Sequence, residues 1–253
     1  MASANAGKNK LARHMRLYHG GIDLSGDARE FKQLLWGYMP VDLTGWSESM
    51  RNYLPDRVMQ AGIVGFSAFI NDATGGAFTR MKAPGTKKAV SIFFGGGAAP
   101  VVGDIAYILQ TVQTMHDATW DAAAGVISGD FMPDSAGVSG ANNPFGLVLM
   151  PNTTISSTTI GTAVDYAAGG TGYSAALHVT GTSSGNYAFS VQTDAAGTFS
   201  GGETTLFSFS INGSSITSEY AASATATVQR YNRLVATRTA GSVSIAVAMA
   251  INY

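Results

Sequence analysis

The sequence predicts a mainly β protein, an antiparallel β-sandwich or barrel with one or two short helices and a C-terminal β-sandwich region. Residues 242–252 alternate strictly: valine, isoleucine and methionine occupy one parity, and serine, alanine and asparagine the other. A period of two residues is the signature of a β-strand with two different faces. Further alternating segments in the second half are separated by glycine, serine and asparagine turns, which is typical of an antiparallel sandwich.

The composition divides the chain into two halves. Every lysine lies in residues 1–150, whereas residues 151–253 are rich in serine, threonine, glycine and alanine. We therefore predict a β-rich N-terminal domain over 1–150, with short helices and long loops, and an antiparallel sandwich over 151–253. The boundary is expected near Met150 and Pro151.

The first elements are predicted to be a hairpin and two short helices. Met15, Leu17, Ile22 and Leu24 flank Gly20-Gly21, which suits a two-residue hairpin turn. Phe31, Leu34, Leu35 and Tyr38 have helical spacing that stops at Pro40. A second helix is predicted from Ser47, which could cap it, to Leu54, just before Pro55.

Strands are predicted over the rest of the first half. Residues 58–71 are rich in β-formers, and Ala89 to Phe94 form an apolar run that ends at three glycines. Residues 103–116 remain ambiguous, since their apolar spacing suits a helix and their β-branched content suits a strand.

The second half predicts a series of strands. They are expected around 177–180, 187–192 and 207–211, with Asn212-Gly213 as a tight turn. Residues 225–239 are predicted to be one long strand, followed by the alternating strand at the end of the sequence.

The sequence offers little for chemistry, and we expect no enzyme, no cofactor and no metal site. Only 12% of residues are charged, the net charge is −1, and there is no cysteine. These values argue against a strongly basic nucleic-acid binder and exclude thiol chemistry. His116, Asp117 and Asp121 lack the spacing of a metal site, and Glu203 and Glu219 are isolated acids. No apolar run is long enough to predict a membrane span.

The candidate interaction residues form a basic N-terminal arm. Lys8, Lys10, Arg13 and Arg16 precede the first acid, Asp23. In a chain with so few charges, such an arm could contact an acidic surface of a neighbouring subunit, or it could be a solvated tail. Both interpretations remain open from the residues alone.

Several short motifs, in this order, resemble the tail tube (major tail) proteins of long-tailed bacteriophages. The motifs are LYHGGIDLSG at 17–26, Val-Asp-x-Thr-Gly at 41–45, Tyr-Leu-Pro at 53–55, a strand over 65–72, Leu-His-Val at 177–179 and Arg-Tyr-x-Arg at 230–233. Residues 29–39 depart from the family pattern, since the family is extended there and this sequence has helical spacing.

The resemblance implies a structural virion protein. Such subunits are β-sandwiches whose sheets join into rings that stack into a tube, through which genomic DNA passes without specific binding. The implied partners are further copies of the chain and other tail proteins, with no membrane. The implied location is the virion tail, assembled in the cytoplasm of the bacterial host.

Other assignments stay open. The chain could be a different virion component, such as a tail-tip, tail-terminator or head-decoration protein. A carbohydrate-binding sandwich or glycosidase is disfavoured because tryptophan is absent from the second half. One of the two long loops, at 72–87 and 131–145, is expected to reach a neighbouring ring. The small-residue face of the last strand is expected to line a lumen or a packed interface.

Overall fold

The computed structural model describes residues 14–42, 53–73, 76–82, 85, 87–113, 117–120, 125–133, 143–181, 187–209 and 215–252. Its strands are β1 Met15–His19, β2 Ile22–Asp23, β3 Ala28–Glu30, β4 Gln33–Asp42, β5 Tyr53–Phe69, β6 Lys87–Phe94, β7 Ile105–Gln113, β8 Asp117–Trp120, β9 Gly125–Pro133, β10 Phe145–Ile155, β11 Thr159–Ile160, β12 Val164–Asp165, β13 Gly170–Gly181, β14 Tyr187–Asp194, β15 Thr204–Phe209, β16 Thr217–Val228, β17 Tyr231–Arg238 and β18 Val243–Ile251. Helix α1 spans Ala77–Met81. All pairings among these strands are antiparallel, so the predicted mainly β class is confirmed.

The larger of two sheets contains 13 strands and branches at β7. Its main path runs β16-β13-β18-β10-β7-β6-β1-β2. Strand β10 pairs with Ile105–Tyr107 at the start of β7, whereas β9 pairs with residues 111–113 at its end. The β9 branch continues to β5, which also pairs with β3 and β4. The branch lets one sheet supply two packed layers.

The main path curls over itself. The Ala89 backbone N–H in β6 donates to Ser218 Oγ in β16 at 3.2 Å, and His178 of β13 reaches Ser91 of β6. Within the described residues, the end strands β16 and β2 do not pair, so the curled sheet is not a closed barrel.

A thin inner layer fills the curled sheet. Its buried residues are mainly alanines, with a few larger side chains between them: Tyr18, Ala89, Phe93, Ala106, Ile108, Val148, Ala176, Ala246, Ala248 and Ala250. Because side chains alternate along a strand, the small residues of β18, Ala246, Ala248 and Ala250, all point into this inner layer. The small face of β18 is therefore a packed interface within the chain.

Two thicker cores lie on the outer face of the curled sheet. The second sheet, ordered β11-β17-β14-β15 with β12 beside β17, covers β10, β13 and β18. The large parity of β18, including Val243, Ile245 and Val247, packs into this core. On the other part of the outer face, β5 and α1 cover β1, β6 and β7, with Phe66 and Met81 at the centre.

The predicted helix at Phe31–Tyr38 is wrong, because β4 occupies these residues and pairs with β5 over Gln33–Asp42. Leu34 and Trp36 share a parity and pack against the core beneath β5, so the apolar residues serve a strand face. Pro40 falls at a register shift between Met39 and Val41, where a missing N–H is tolerated. Long-range pairing has overridden the local helical spacing, so residues 33–39 lie in β4.

The predicted single strand over 225–239 is also wrong. The chain leaves β16 at Val228 and enters β17 of the other sheet at Tyr231. The ambiguous segment at 103–116 is a strand, β7, as far as it is described. The hairpin at 15–24 and the strands predicted at 58–71, 89–94, 177–180, 187–192 and 242–252 are confirmed, and the one at 207–211 is confirmed up to Phe209.

Some predictions fall on other parts of the chain. Residues 47–52 of the second predicted helix and the turn at Asn212-Gly213 lie outside the described residues. The last two residues of that helix, Tyr53 and Leu54, belong to β5, so the prediction is wrong there. The division at about residue 150 stays a prediction. That position lies inside β10, which pairs with β7 on one side and β18 on the other.

Candidate self-association surfaces and polar sites

The predicted basic arm is described only at its last residue. Lys8, Lys10 and Arg13 lie outside the described residues, whereas Arg16 belongs to β1, pairs with Phe93 and is half-buried. The role of these four residues as an inter-subunit arm stays a prediction.

Arg16 lines a cleft of about 620 Å³ beside the β1–β2 hairpin, together with Tyr18, Asp23, Ser25, Gly26, Ala99, Pro100, Pro151 and Asn152. Asp23 Oδ1 accepts the Ser25 N–H at 2.9 Å and the Ser25 hydroxyl, while Ser25 Oγ accepts the Leu17 N–H at 2.8 Å. These bonds hold the turn. Burial raises the pKa of Tyr18, with a further contribution from the Asp23 charge. The lining contains no imidazole, so the cleft offers no histidine acid–base pair.

Strand β16 forms an open edge of the larger sheet. Within the described residues it pairs only with β13, in unbroken register from Thr217 to Ser223. Glu219 is its one charged residue, and it contains neither lysine nor proline. Natural edge strands are usually protected by charges, prolines or short length. The backbone of Thr217 lies against the Gly21 turn, and the N–H groups of Thr225 and Ala226 donate to Ser223 Oγ. Between these ends, the strand presents an edge without such protection to another strand.

An apolar strip lies where β7 and β10 begin. Val101, Ile105 and Phe145 are 58%, 46% and 39% exposed. Ile105 and Phe145 share one face of the sheet, because their cross-strand partners are Leu147 and Tyr107 in register. The Phe145 ring meets the Tyr107 ring at a centroid distance of 4.9 Å, which fixes it in place. Clustered exposed apolar side chains of this kind mark contact surfaces more often than isolated ones.

The buried imidazole of His178 lies in the inner layer between β13 and β6. His178 Nε2 lies 2.8 Å from Ser91 Oγ, and its ring centroid lies 5.5 Å from that of Tyr18. His178 Nδ1 has no hydrogen-bond partner within the described part of the chain. Burial, with a smaller effect of His19, lowers the pKa of His178 to about 3. The ring is neutral and enclosed, which suits a structural role rather than reaction with a substrate.

The acids weighed from the sequence are not brought together where the structure describes them. Asp117 lies in β8, Glu203 lies just before β15, and Glu219 lies in β16. His116 and Asp121 lie outside the described residues. The described residues contain no group of three or more metal-ligating side chains. Within the same residues, no helix has the length and apolar character needed to cross a membrane.

The outer face of the second sheet holds a polar cluster that the sequence analysis missed. Gln192 and Arg233 are direct cross-strand partners, and Arg233 Nε donates to Gln192 Oε1 at 3.0 Å. The Arg233 guanidinium carbon lies 4.1 Å from the centre of the Phe199 ring. Strand parity could have placed Gln192 and Arg233 on outward faces, but their register could not be obtained from the sequence.

Arg230 comes directly before β17 and, unlike Arg233, has a carboxylate partner. Its Nε and Nη2 donate to the two carboxylate oxygens of Asp165, both at 2.7 Å. This hydrogen-bonded pair lowers the pKa of Asp165 to about 2. The Arg-Tyr-x-Arg motif therefore contains one arginine with a carboxylate partner and one, Arg233, that stacks on a ring.

Comparison with known proteins gives little. No protein-family model matches the chain, and no functionally curated protein matches it. Among solved structures, the chain is similar to the crystal structure of the Dit protein of phage SPP1, described as a paradigm of the hub adsorption apparatus in phages infecting Gram-positive hosts. The alignment covers 94% of this chain and 99% of that chain, with 10% identity and a TM-score of 0.34. Values this low carry no argument about the fold family or the function.

Proposed function

We propose that this protein is a structural subunit of a phage tail that associates with copies of itself through sheet edges, and specifically a tail tube subunit. The open edge of β16 carries the proposal. Edge-to-edge pairing between subunits satisfies the exposed backbone groups of such a strand. When the contact is head-to-tail and closes, the product is a ring.

Two further features support association. The apolar strip of Val101, Ile105 and Phe145 would be covered in a contact between subunits, which lowers the cost of exposing it to water. Only 12% of the residues are charged. A surface with so few charged groups is tolerable when neighbouring subunits bury part of it. The partners would be copies of this chain and other tail proteins, within the virion.

The proposal gives DNA a passive role. A conduit for genomic DNA must not hold the phosphate backbone, and phosphate binding depends on clustered lysine and arginine. The net charge of −1 and the absence of lysine after residue 150 agree with a low overall affinity for DNA. The protein would have no catalytic activity and no cofactor in this role.

The test combines light scattering and negative-stain microscopy on the wild-type protein and two matched variants. Ala222→Lys adds a charge to an exposed position of the β16 edge, whereas Ala188→Lys adds it to an exposed position of β14, which is paired on both sides. We expect rings or tubes of uniform bore from the wild type and from Ala188→Lys, and monomers from Ala222→Lys. A wild type that stays monomeric at all concentrations, or an Ala222→Lys variant that assembles normally, contradicts pairing through β16.

The alternative is another virion component, such as a tail-tip, terminator or decoration protein. The same edge would then pair with a different tail protein. Closed oligomers of fixed small size that never stack would favour this alternative over a tube.

A further inference from the structure

The outer face of the second sheet is partly covered by the loop that joins β14 to β15. Leu234 and Ala236 of β17 point into the core, so Tyr231 and Arg233, on the other parity, face outward. Phe199 of the loop is only 7% exposed and lies against Arg233. Its φ of 48° is in the left-handed region, which non-glycine residues rarely adopt. Such a conformation persists only where surrounding contacts impose it, and it occurs often at binding sites.

These contacts fix the direction of the Arg233 guanidinium. Its guanidinium carbon lies over the Phe199 ring, 4.1 Å from the ring centre, and its Nε donates to Gln192 Oε1 at 3.0 Å. Within the residues that the structure describes, its Nη1 and Nη2 groups have no acceptor. Arg233 is half-buried and already ordered, so a ligand that accepts from these groups loses less entropy on binding.

A carboxylate lies on the same side of the sheet, since Glu203 comes two residues before Thr205, and Gln192 pairs with both Thr205 and Arg233. Glu203 Oε2 accepts the Gly201 N–H at 2.8 Å, which holds the side chain at the end of the same loop. Hydrogen bonds from backbone N–H groups lower the pKa of Glu203, and the Arg233 charge lowers it further. The two side chains form no ion pair within the described part of the molecule. Guanidinium donors and a carboxylate acceptor therefore lie on the same face of the second sheet.

We propose that Gln192, Glu203 and Arg233, ordered by Phe199, form a carbohydrate-binding site on the second sheet. A sugar hydroxyl both accepts and donates hydrogen bonds, so neighbouring hydroxyls can bridge the guanidinium and the carboxylate. An anionic ligand is disfavoured because the Glu203 carboxylate would repel it. An apolar ligand is disfavoured because the Phe199 ring is buried beneath Arg233. This activity does not depend on the proposed assembly.

The site is tested by saturation-transfer NMR of the full-length protein with glucose, galactose and N-acetylglucosamine as probes. The variants are Arg233→Lys, which keeps the charge and loses the planar fork, and Glu203→Gln, which changes an exposed loop and leaves the sheet intact. The control is Arg238→Lys on the same strand, where the arginine is exposed and donates to the Gly241 carbonyl. Thermal melts check that each variant is folded.

We expect saturation transfer to at least one of the three sugars, weakened about tenfold or more in both site variants and unchanged in the control. The absence of transfer from the wild type to all three sugars overturns the proposal. So does equal transfer from the wild type and Glu203→Gln, a comparison that stands even if Arg233→Lys does not fold. Neither result depends on whether the protein forms rings.

Discussion

At the residue scale, the β1–β2 turn depends on the absence of a side chain at Gly21. Its φ of 88° is left-handed, and a Cβ added there would lie 2.6 Å from the Val179 carbonyl oxygen and against the Thr217 backbone. The turn therefore lies directly against β13 and β16, where the curled sheet comes closest to closing. A side chain at this position would push the turn away from β13 and β16.

We expect Gly21→Ala to lower the free energy of unfolding by about 2 kcal/mol or more. Alanine is strained in a left-handed backbone conformation, and its Cβ would also clash with the backbone of Val179 and Thr217. Gly26→Ala is the control, since an added Cβ there meets nothing within 4 Å. Urea unfolding followed by circular dichroism measures both. Equal stability of the two variants would contradict the close packing of the turn.

The buried imidazole makes stability depend on pH. Because the folded state holds His178 neutral, with a pKa near 3 against 6.5 for a free imidazole, the unfolded chain binds more protons between these values. Stability is therefore fully retained above about pH 6.5 and falls as the pH decreases towards 3. The slope for this one residue is about 1.4 kcal/mol per pH unit. The other titratable groups nearby are His19 and Tyr18 of β1.

The measurement is the free energy of unfolding at several pH values between 7.5 and 5 for the wild type and for His178→Gln. We expect a shallower dependence in the variant, since glutamine does not titrate and can still bond to Ser91. If both proteins lose stability with the same slope, His178 does not carry the effect.

At the element scale, the chain passes from one sheet to the other between β16 and β17. The Gln229 N–H donates to Thr193 Oγ1 at 2.8 Å, and Asn232 Nδ2 donates to the Gln229 carbonyl at 3.1 Å. Thr193 is buried, so its hydroxyl satisfies a backbone group that has left the β16 ladder. This crossover is the reason that residues 225–239 are two strands.

Thr193→Val keeps the shape and the β-branch and removes the acceptor. We expect a loss of about 0.5–1.5 kcal/mol, the usual net contribution of one hydrogen bond, because the Gln229 donor is only part-buried. Thr205→Val, at an exposed position of β15, is the matched control and should be nearly neutral. Chemical denaturation compares them, and an equally small effect at both positions would show that the crossover does not need this bond.

At the scale of the whole molecule, the inner layer joins residues from both halves of the chain. Ala246, Ala248 and Ala250 of β18 are fully buried in the same cluster as Phe93 and Ile108. Strand β10 is hydrogen-bonded to β7 and to β18. Neither half can separate without exposing this layer and breaking the β10 ladder.

We therefore expect one cooperative thermal transition for the full chain, with equal calorimetric and van't Hoff enthalpies. Differential scanning calorimetry measures both. Two resolved transitions would instead support the independent domains predicted at 1–150 and 151–253.

Much of the architecture could be predicted from local patterns. The alternation in β18 and the Gly20-Gly21 hairpin were predicted because period and turn chemistry act between near neighbours. The helical spacing at 31–38 led to a wrong prediction for the same reason. The pairing of β4 with β5 depends on residues about 20 to 30 positions away in the chain. The candidate interaction surfaces were not predicted, because an open edge is recognised only once every pairing is known.

By itself, the sequence determined the mainly β antiparallel class, the two faces of the last strand and the lack of a recognisable catalytic motif, since each depends on composition or short-range periodicity. Only the tertiary structure decided that both faces of that strand are buried and that Gln192 and Arg233 meet. It also decided that β16 is left at an edge. The reason is that register and layer order arise from contacts between residues far apart in the chain, and a shift of one residue would exchange every face.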